Sequence, residues 1–199
     1  MSTSQSGSER DRDIYPFLSD VTAMRRRARQ HIEDRALASD DDADPATVLR
    51  LLNEALATEL MCVSRYQRHC LLADGADAES VKGEFNRHAR EEQGHADQIA
   101  ERIVQLGGAP NLAPASLPEE PPAEYLEGES LLDLLEEDLI AERIAIQSYE
   151  EILQYLGTKD VKTRQLLEDI LAVEHVQAEA LASLRGTMLR ETRLTVSAA

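Results

Sequence analysis

Between residues 91 and 99 the chain reads EEQGHADQI, and between 173 and 181 it reads VEHVQAEAL. Aligned on their glutamates, these give E-x-x-H-A-D from Glu92 and E-x-x-Q-A-E from Glu174. A three-residue step keeps both polar side chains on one face of a helix, so Glu92 projects with His95 and Glu174 with Gln177. A second pair of segments repeats in the same way. ATELMCVSRY (57–66) matches IAERIAIQSY (140–149), each holding a glutamate and, seven residues on, a tyrosine. In chain order the pattern is Glu59, Glu92 with His95, Glu142, Glu174 with Gln177. A helical hairpin repeated about a pseudo-two-fold axis would bring these residues to equivalent positions.

Working outward, each segment sits in a long helical pattern. The first runs from about Pro45 to Ala73, with Asp44 as its cap and Pro45 at the first helical position. The second runs from about Ala78 to Leu106 and stops at Gly107 and Gly108. The third begins at Ser130, which caps LLDLLEEDL, and ends at Gly157. The fourth runs from about Asp160 to Leu184, with Gly186 behind it. Between the second and third lies APNLAPASLPEEPPAEYLEGE (109–129), which holds all but two of the seven prolines and reads as a long crossover. Two helical hairpins joined by such a crossover define the ferritin-like variant of the four-helix bundle. A shorter helix over 19–37, capped by Ser19 or Asp20, precedes it with Val21, Met24, Ala28 and Ile32 in a thin apolar stripe. The expected division is a disordered tail (1–16), an N-terminal helix and linker (17–44), the bundle (45–186) and a C-terminal tail (187–199) carrying at most a further turn of helix.

The inward faces carry the chemistry. They are Val48, Leu52, Ala55, Glu59, Cys62 and Tyr66; then Val81, Phe85, His88, Glu92, His95, Ile99, Ile103 and Leu106; then Leu132, Leu135, Leu139, Glu142, Ile146, Tyr149 and Leu153; and finally Leu167, Ile170, Glu174, Gln177, Leu181 and Leu184. Every stripe has a carboxylate near its middle. Buried charges are costly unless paired or metal-bound, and no Arg or Lys falls on these stripes. Two divalent cations would cancel four carboxylates, so the pattern points to a dinuclear metal site.

Composition agrees. The 199 residues include no Trp and seven other aromatics, against an all-β fold. The net charge of −17 argues against wholesale nucleic-acid binding and suits attraction of cations. The basic run MRRRAR (24–29) reads as a solvated helix face or a subunit contact rather than a DNA-binding arm. No apolar run reaches about 18 residues and no signal-peptide core is present, so a cytoplasmic, non-membrane protein is expected. Cys62 and Cys70 would lie about 12 Å apart on one helix, too far for a disulfide, and read as reduced core thiols.

The ordered set, together with NEALATEL, EEQGHADQIAERIVQLGGAPNL, EDLIAERIAIQSY and ILAVE, resembles the ferritin-like di-iron carboxylate family, closest to non-haem bacterioferritin-like and Dps-like ferritins. The resemblance spans roughly residues 17–186. It implies an all-α, ferritin-like four-helix bundle with an extra N-terminal helix, and two Fe ions per subunit with Mn as the other candidate metal. It implies Glu59, Glu92, His95, Glu142 and Glu174 as metal ligands and Tyr66 as a tyrosine beside the catalytic centre. Glu92 and Glu174 would bridge, with Glu59 and His95 on one ion and Glu142 on the other.

Two positions depart from the family pattern. Its second E-x-x-H reads Glu174-x-x-Gln177. Making His175 the ligand instead would put Ala172 at the glutamate position and turn the side chain about 200° away around the helix, so Gln177 takes the ligand place. Its amide oxygen is neutral like imidazole but a harder, weaker donor. Haem-binding relatives place Met directly after the second-helix glutamate; here Gln93 stands there, so no haem is expected.

The resemblance implies a ferroxidase that oxidises Fe(II) with O2 or H2O2 and stores Fe(III) in a homo-oligomeric shell of 12 or 24 chains. The rival readings are a di-iron or di-manganese peroxidase, catalase or oxidase without storage, and a shell protein whose site holds little metal. No C-x-x-C pair is present for a rubredoxin-like centre. Tyr66 and Tyr149 are expected to hydrogen-bond carboxylates, His88 to be a partly buried structural residue, and His69 and His31 to lie at the surface.

Overall fold

The computed structural model describes residues 16–36, 44–75, 77–113 and 130–197. They form the helices α1 (Pro16–Ala36), α2 (Pro45–Leu72), α3 (Ala78–Gln105), α4 (Leu131–Leu156) and α5 (Val161–Ser197), and no strand is found among them. The N-terminal tail, most of the linker before Pro45 and the crossover from 114 to 129 lie outside the described residues. The all-α architecture is the one expected: α2 packs along α3, and α4 along α5, as two hairpins set side by side.

Local chemistry fixes the helix ends. The Asp44 side chain accepts from the Thr47 amide at 3.1 Å, with Pro45 following at a position whose N–H would be unpaired anyway. Ser130 and Asp133 form a reciprocal capping box at the start of α4. Beyond α3, Gly107 takes φ 79°, its amide bonds the Val104 carbonyl and the Gly108 amide bonds that of Ile103. This pairing is the Schellman motif. A side chain on Gly108 would run into Leu49, 2.5 Å from where its Cβ would sit, so glycine here permits close approach of α2.

Two helices differ from expectation. α1 begins at Pro16 rather than at Ser19 or Asp20, since proline is pre-shaped for a first turn. α5 continues through Gly186 to Ser197. A mid-helix glycine costs only about 1 kcal/mol, and neighbouring contacts offset it: Arg185 donates to Glu136 at 3.2 Å and Met188 packs on the core.

The core has two apolar halves. One gathers Leu52, Leu56, Ile99, Ile103, Ile152, Leu156, Leu167 and Ile170; the other gathers Val81, Phe85, Leu134, Leu135, Leu139 and Leu181. Each fully buried Leu, Ile or Phe contributes about 1.5–3 kcal/mol, which offsets a costly polar layer between the halves.

α1 lies across α2 and α4. It buries Met24 and Ala28, and the Thr58 hydroxyl donates to the Met24 sulfur at 3.3 Å. Arg25 and Arg29 both grip Glu151, and Arg27 donates to both oxygens of Glu54 at 3.0 and 3.2 Å. The arginine run therefore serves largely as an intrachain clamp. Glu151→Ala is expected to make trypsin cut within Arg25–Arg29 about five times faster, the equivalent of about 1 kcal/mol. An unchanged cleavage rate would assign the docking to apolar burial alone.

Candidate metal centre

In the polar layer, Glu59 of α2, Glu92 and His95 of α3 and Glu174 of α5 each offer a ligand atom, all within 4.8 Å of one another. His95 Nδ1 stands 3.0 Å from Glu174 Oε1, 3.3 Å from Glu59 Oε2 and 3.6 Å from Glu92 Oε2. Glu142 of α4 is 2 % exposed and accepts from the Tyr66 hydroxyl. Across the pseudo-two-fold, Tyr149 donates to Glu59 in the same way, so each tyrosine steadies the carboxylate of the opposite hairpin. Gln177 is wholly buried, whereas His175 is exposed. The helix rotation thus turns Gln177, and not His175, toward the interior.

The electrostatics are those of crowded anions. Burial pushes Glu92 well above its ordinary range, and repulsion from Glu174, Glu59 and Glu142 adds to this. Burial and then Glu174 do the same to Glu142, and burial with Glu59 raises Glu174. Burial opposes charge on His95, but Glu174 and Glu59 beside the ring outweigh it and raise its pKa to about 10. Burial would also raise Glu59, yet contact with His95 and Glu92 leaves it lowered. Cys62 sits within the field of all four glutamates, and burial plus that field holds its thiol protonated.

Several potential ligand atoms here are poorly satisfied although buried: Glu92 Oε1, Glu174 Oε2 and Gln177 Oε1 have no hydrogen-bond partner, and Glu59 Oε2, Glu174 Oε1 and His95 Nδ1 have only the ion-pair contacts among themselves. Orphaned buried acceptors cost about 1–3 kcal/mol each, and a cation bound among them would satisfy them together. The donor set of carboxylates, one imidazole and one amide oxygen suits iron or manganese. Glu59, Glu92, His95, Glu142, Glu174 and Gln177 could together hold two such ions.

Three features escaped the sequence reading. His69, expected at the surface, is fully buried, because Glu137 and Asp138 of α4 face it: Nδ1 lies 2.8 Å from Asp138 and Nε2 3.4 Å from Glu137. Arg65, its side chain 11 % exposed, pairs with Glu137. A basic residue therefore does enter the interior, but its partner is Glu137 and not the four central glutamates. His88 is fully buried rather than partly so. Because Tyr66 gives its proton to Glu142, His88 Nδ1 donates to Tyr66 at 3.1 Å and Nε2 accepts from Arg87 at 2.7 Å. Burial, then Arg87, lowers the His88 pKa to about 4, consistent with that neutral tautomer. His31 is partly exposed, 3.8 Å from Glu54. The missed signals were an i, i+4 pair (Arg65, His69) and an adjacent acidic pair (Glu137, Asp138) at the margins of the stripes.

The family model for the Ferritin-like domain matches residues 49–190. The bacterioferritin of Rhodobacter capsulatus is 31 % identical over 137 residues, 68 % of this chain and 81 % of that protein. That of Brucella melitensis biotype 1 is 36 % identical over 130 residues, 64 % and 75 % respectively. Among solved structures, the bacterioferritin-related protein of Bacteroides fragilis, described as a dodecameric thioferritin, superposes with TM-score 0.68 at 30 % identity, covering 76 % of this chain and 92 % of that one. The chain belongs to the ferritin-like family. No described helix is long and apolar enough to cross a membrane.

Proposed function

We propose that this protein is a ferroxidase of the iron-storage type. Its substrate is Fe(II), two ions of which bind in each subunit and each lose one electron to O2 or H2O2, and the Fe(III) is kept inside a homo-oligomeric shell. The observation that carries this reading is the cluster of buried carboxylate, imidazole and amide atoms that three different helices bring together with few hydrogen-bond partners. Bacterioferritins among the relatives and the dodecameric relative from B. fragilis support both the chemistry and the shell. Glu92 and Glu174 are proposed to bridge, Glu59 with His95 to hold one ion and Glu142 with Gln177 the other. Tyr66 and Tyr149 position carboxylates. Haem is not part of the proposal: Gln93 carries an amide, committed to Asp97 at 2.8 Å.

A second reading keeps the dinuclear site without storage, as an iron or manganese peroxidase, catalase or oxidase. The Gln177 amide favours it, because a changed ligand alters how firmly one position holds its ion. Aerobic Fe(II) loading of metal-free protein, with iron assayed across a size-exclusion peak, separates the two. Many more than two irons per chain in a large assembly is the result expected for storage. Saturation near two supports the second reading, and no retained iron overturns both. Gln177→His should tighten the weaker position about tenfold, since imidazole is the better donor to Fe(II); an unchanged affinity in an anaerobic titration would remove Gln177 from the ligand set.

A further inference from the structure

The two halves of the site are not equivalent, and the difference lies in two positions at once. Where α3 has His95, α5 has Gln177; where α3 has Glu91 before its bridging glutamate, α5 has Val173. The structure joins the two unusual members of these pairs. Gln177 is wholly buried, and its Nε2 donates to Glu91 Oε2 at 3.0 Å. Glu91 is itself clamped by Arg87, whose Nη1 reaches both carboxylate oxygens at 2.9 and 2.8 Å. A carboxylate held in this way by a guanidinium can only accept, so it selects the NH2 end of the amide. The oxygen end, Gln177 Oε1, is left buried and without a hydrogen-bond partner, one helical turn from Glu174. With the amide reversed, its NH2 would face the carboxylates as a donor and could not bind a cation.

We propose that Glu91 is a positioning residue: it fixes the Gln177 amide with its oxygen inward, and so makes the second metal position an all-oxygen set of Glu142, Glu174 and Gln177. This rests on the dinuclear reading above and deepens it. The first position, with His95, offers nitrogen and oxygen; the second offers oxygen alone and is the harder of the two, suited to Mn(II) as well as iron.

The test is an anaerobic Mn(II) titration of the metal-free full chain, read by electron paramagnetic resonance. Wild type is expected to take two ions per chain. Glu91→Met removes the acceptor and should weaken only the second ion, by about 10–100-fold. Glu91→Gln keeps an acceptor oxygen for the Gln177 NH2 and should restore binding to near wild type. Glu91→Met combined with Gln177→Met should bind the second ion no worse than Gln177→Met alone, because both remove one interaction. The first ion, retained in every variant, reports that the bundle is intact. Equal binding by wild type and Glu91→Met would overturn the positioning role while leaving the dinuclear site standing, as would Glu91→Gln behaving like Glu91→Met. Wild type that takes fewer than two ions would overturn the dinuclear reading and this inference with it.

Discussion

Replacing Glu92 with alanine should lower the initial rate of Fe(II) oxidation by about 100-fold or more, since even residues that only support ligands cost about 10–100-fold when lost. Glu92 stands at the centre of the site, burdened by Glu174, Glu59 and Glu142 together and 3.6 Å from His95. It is one of the two carboxylates proposed above to bridge the ions. Stopped-flow absorbance during aerobic Fe(II) addition measures the effect; a wild-type rate would sink the assignment. The neutral isostere sharpens the point. Glu92→Gln keeps the shape and abolishes the repulsion, so the metal-free protein should become more stable at pH 8, by on the order of 1–4 kcal/mol, while losing oxidation as Glu92→Ala does. Gain of stability with loss of activity is what a strained functional site produces, whereas a structural role would lose both.

The second large effect is a pH dependence confined to the metal-free state. Glu92, Glu142 and Glu174 have folded pKa values above the ordinary 4.5, so the folded chain holds protons that the unfolded chain releases. Their contribution to stability is complete below about 4.5 and is lost as pH rises through the raised values. His95, raised from 6.5 to about 10, acts in the same direction: full below 6.5, lost on rising through about 10. Glu59 is lowered; its contribution is present above 4.5 and fades only on acidification, outside this window. Metal-free protein should therefore lose stability from pH 6 to pH 9, each excess proton counting about 1.4 kcal/mol per pH unit, with Tm falling about 2–4 °C per kcal/mol. Metal ions displace those protons, so Mn(II) should raise Tm most at alkaline pH and flatten the profile. Calorimetry at both pH values with and without Mn(II) checks this. A flat metal-free profile would mean that the carboxylates are not crowded as described.

The four long helices and the polar layer were legible because both are written in local periodicity. A glutamate in the middle of an apolar stripe is conspicuous when the stripe is read at helical spacing, and the repeat of Glu59 with Tyr66 in Glu142 with Tyr149 named the equivalent positions. The register of Gln177 over His175 followed from the same spacing, and burial of one with exposure of the other agrees with it. Gly186 misled because a glycine's effect depends on what its neighbours touch; with Arg185 and Met188 anchored, α5 runs on.

What the sequence determined by itself was the middle of each inward face and the central glutamates that ride on it, since a helix's own geometry decides that within a few residues; the margins of those faces, where His69, Glu137 and Asp138 are buried, it did not. Which of those residues meet was decided only by the tertiary structure. Gln177 and Glu91 are 86 residues apart, Tyr149 and Glu59 are 90 apart, and His69 finds Asp138 across α2 and α4. Such pairings depend on the axial register and rotation of packed helices, set by the two apolar core halves. A shift of one helical turn would leave every periodicity intact and break them all.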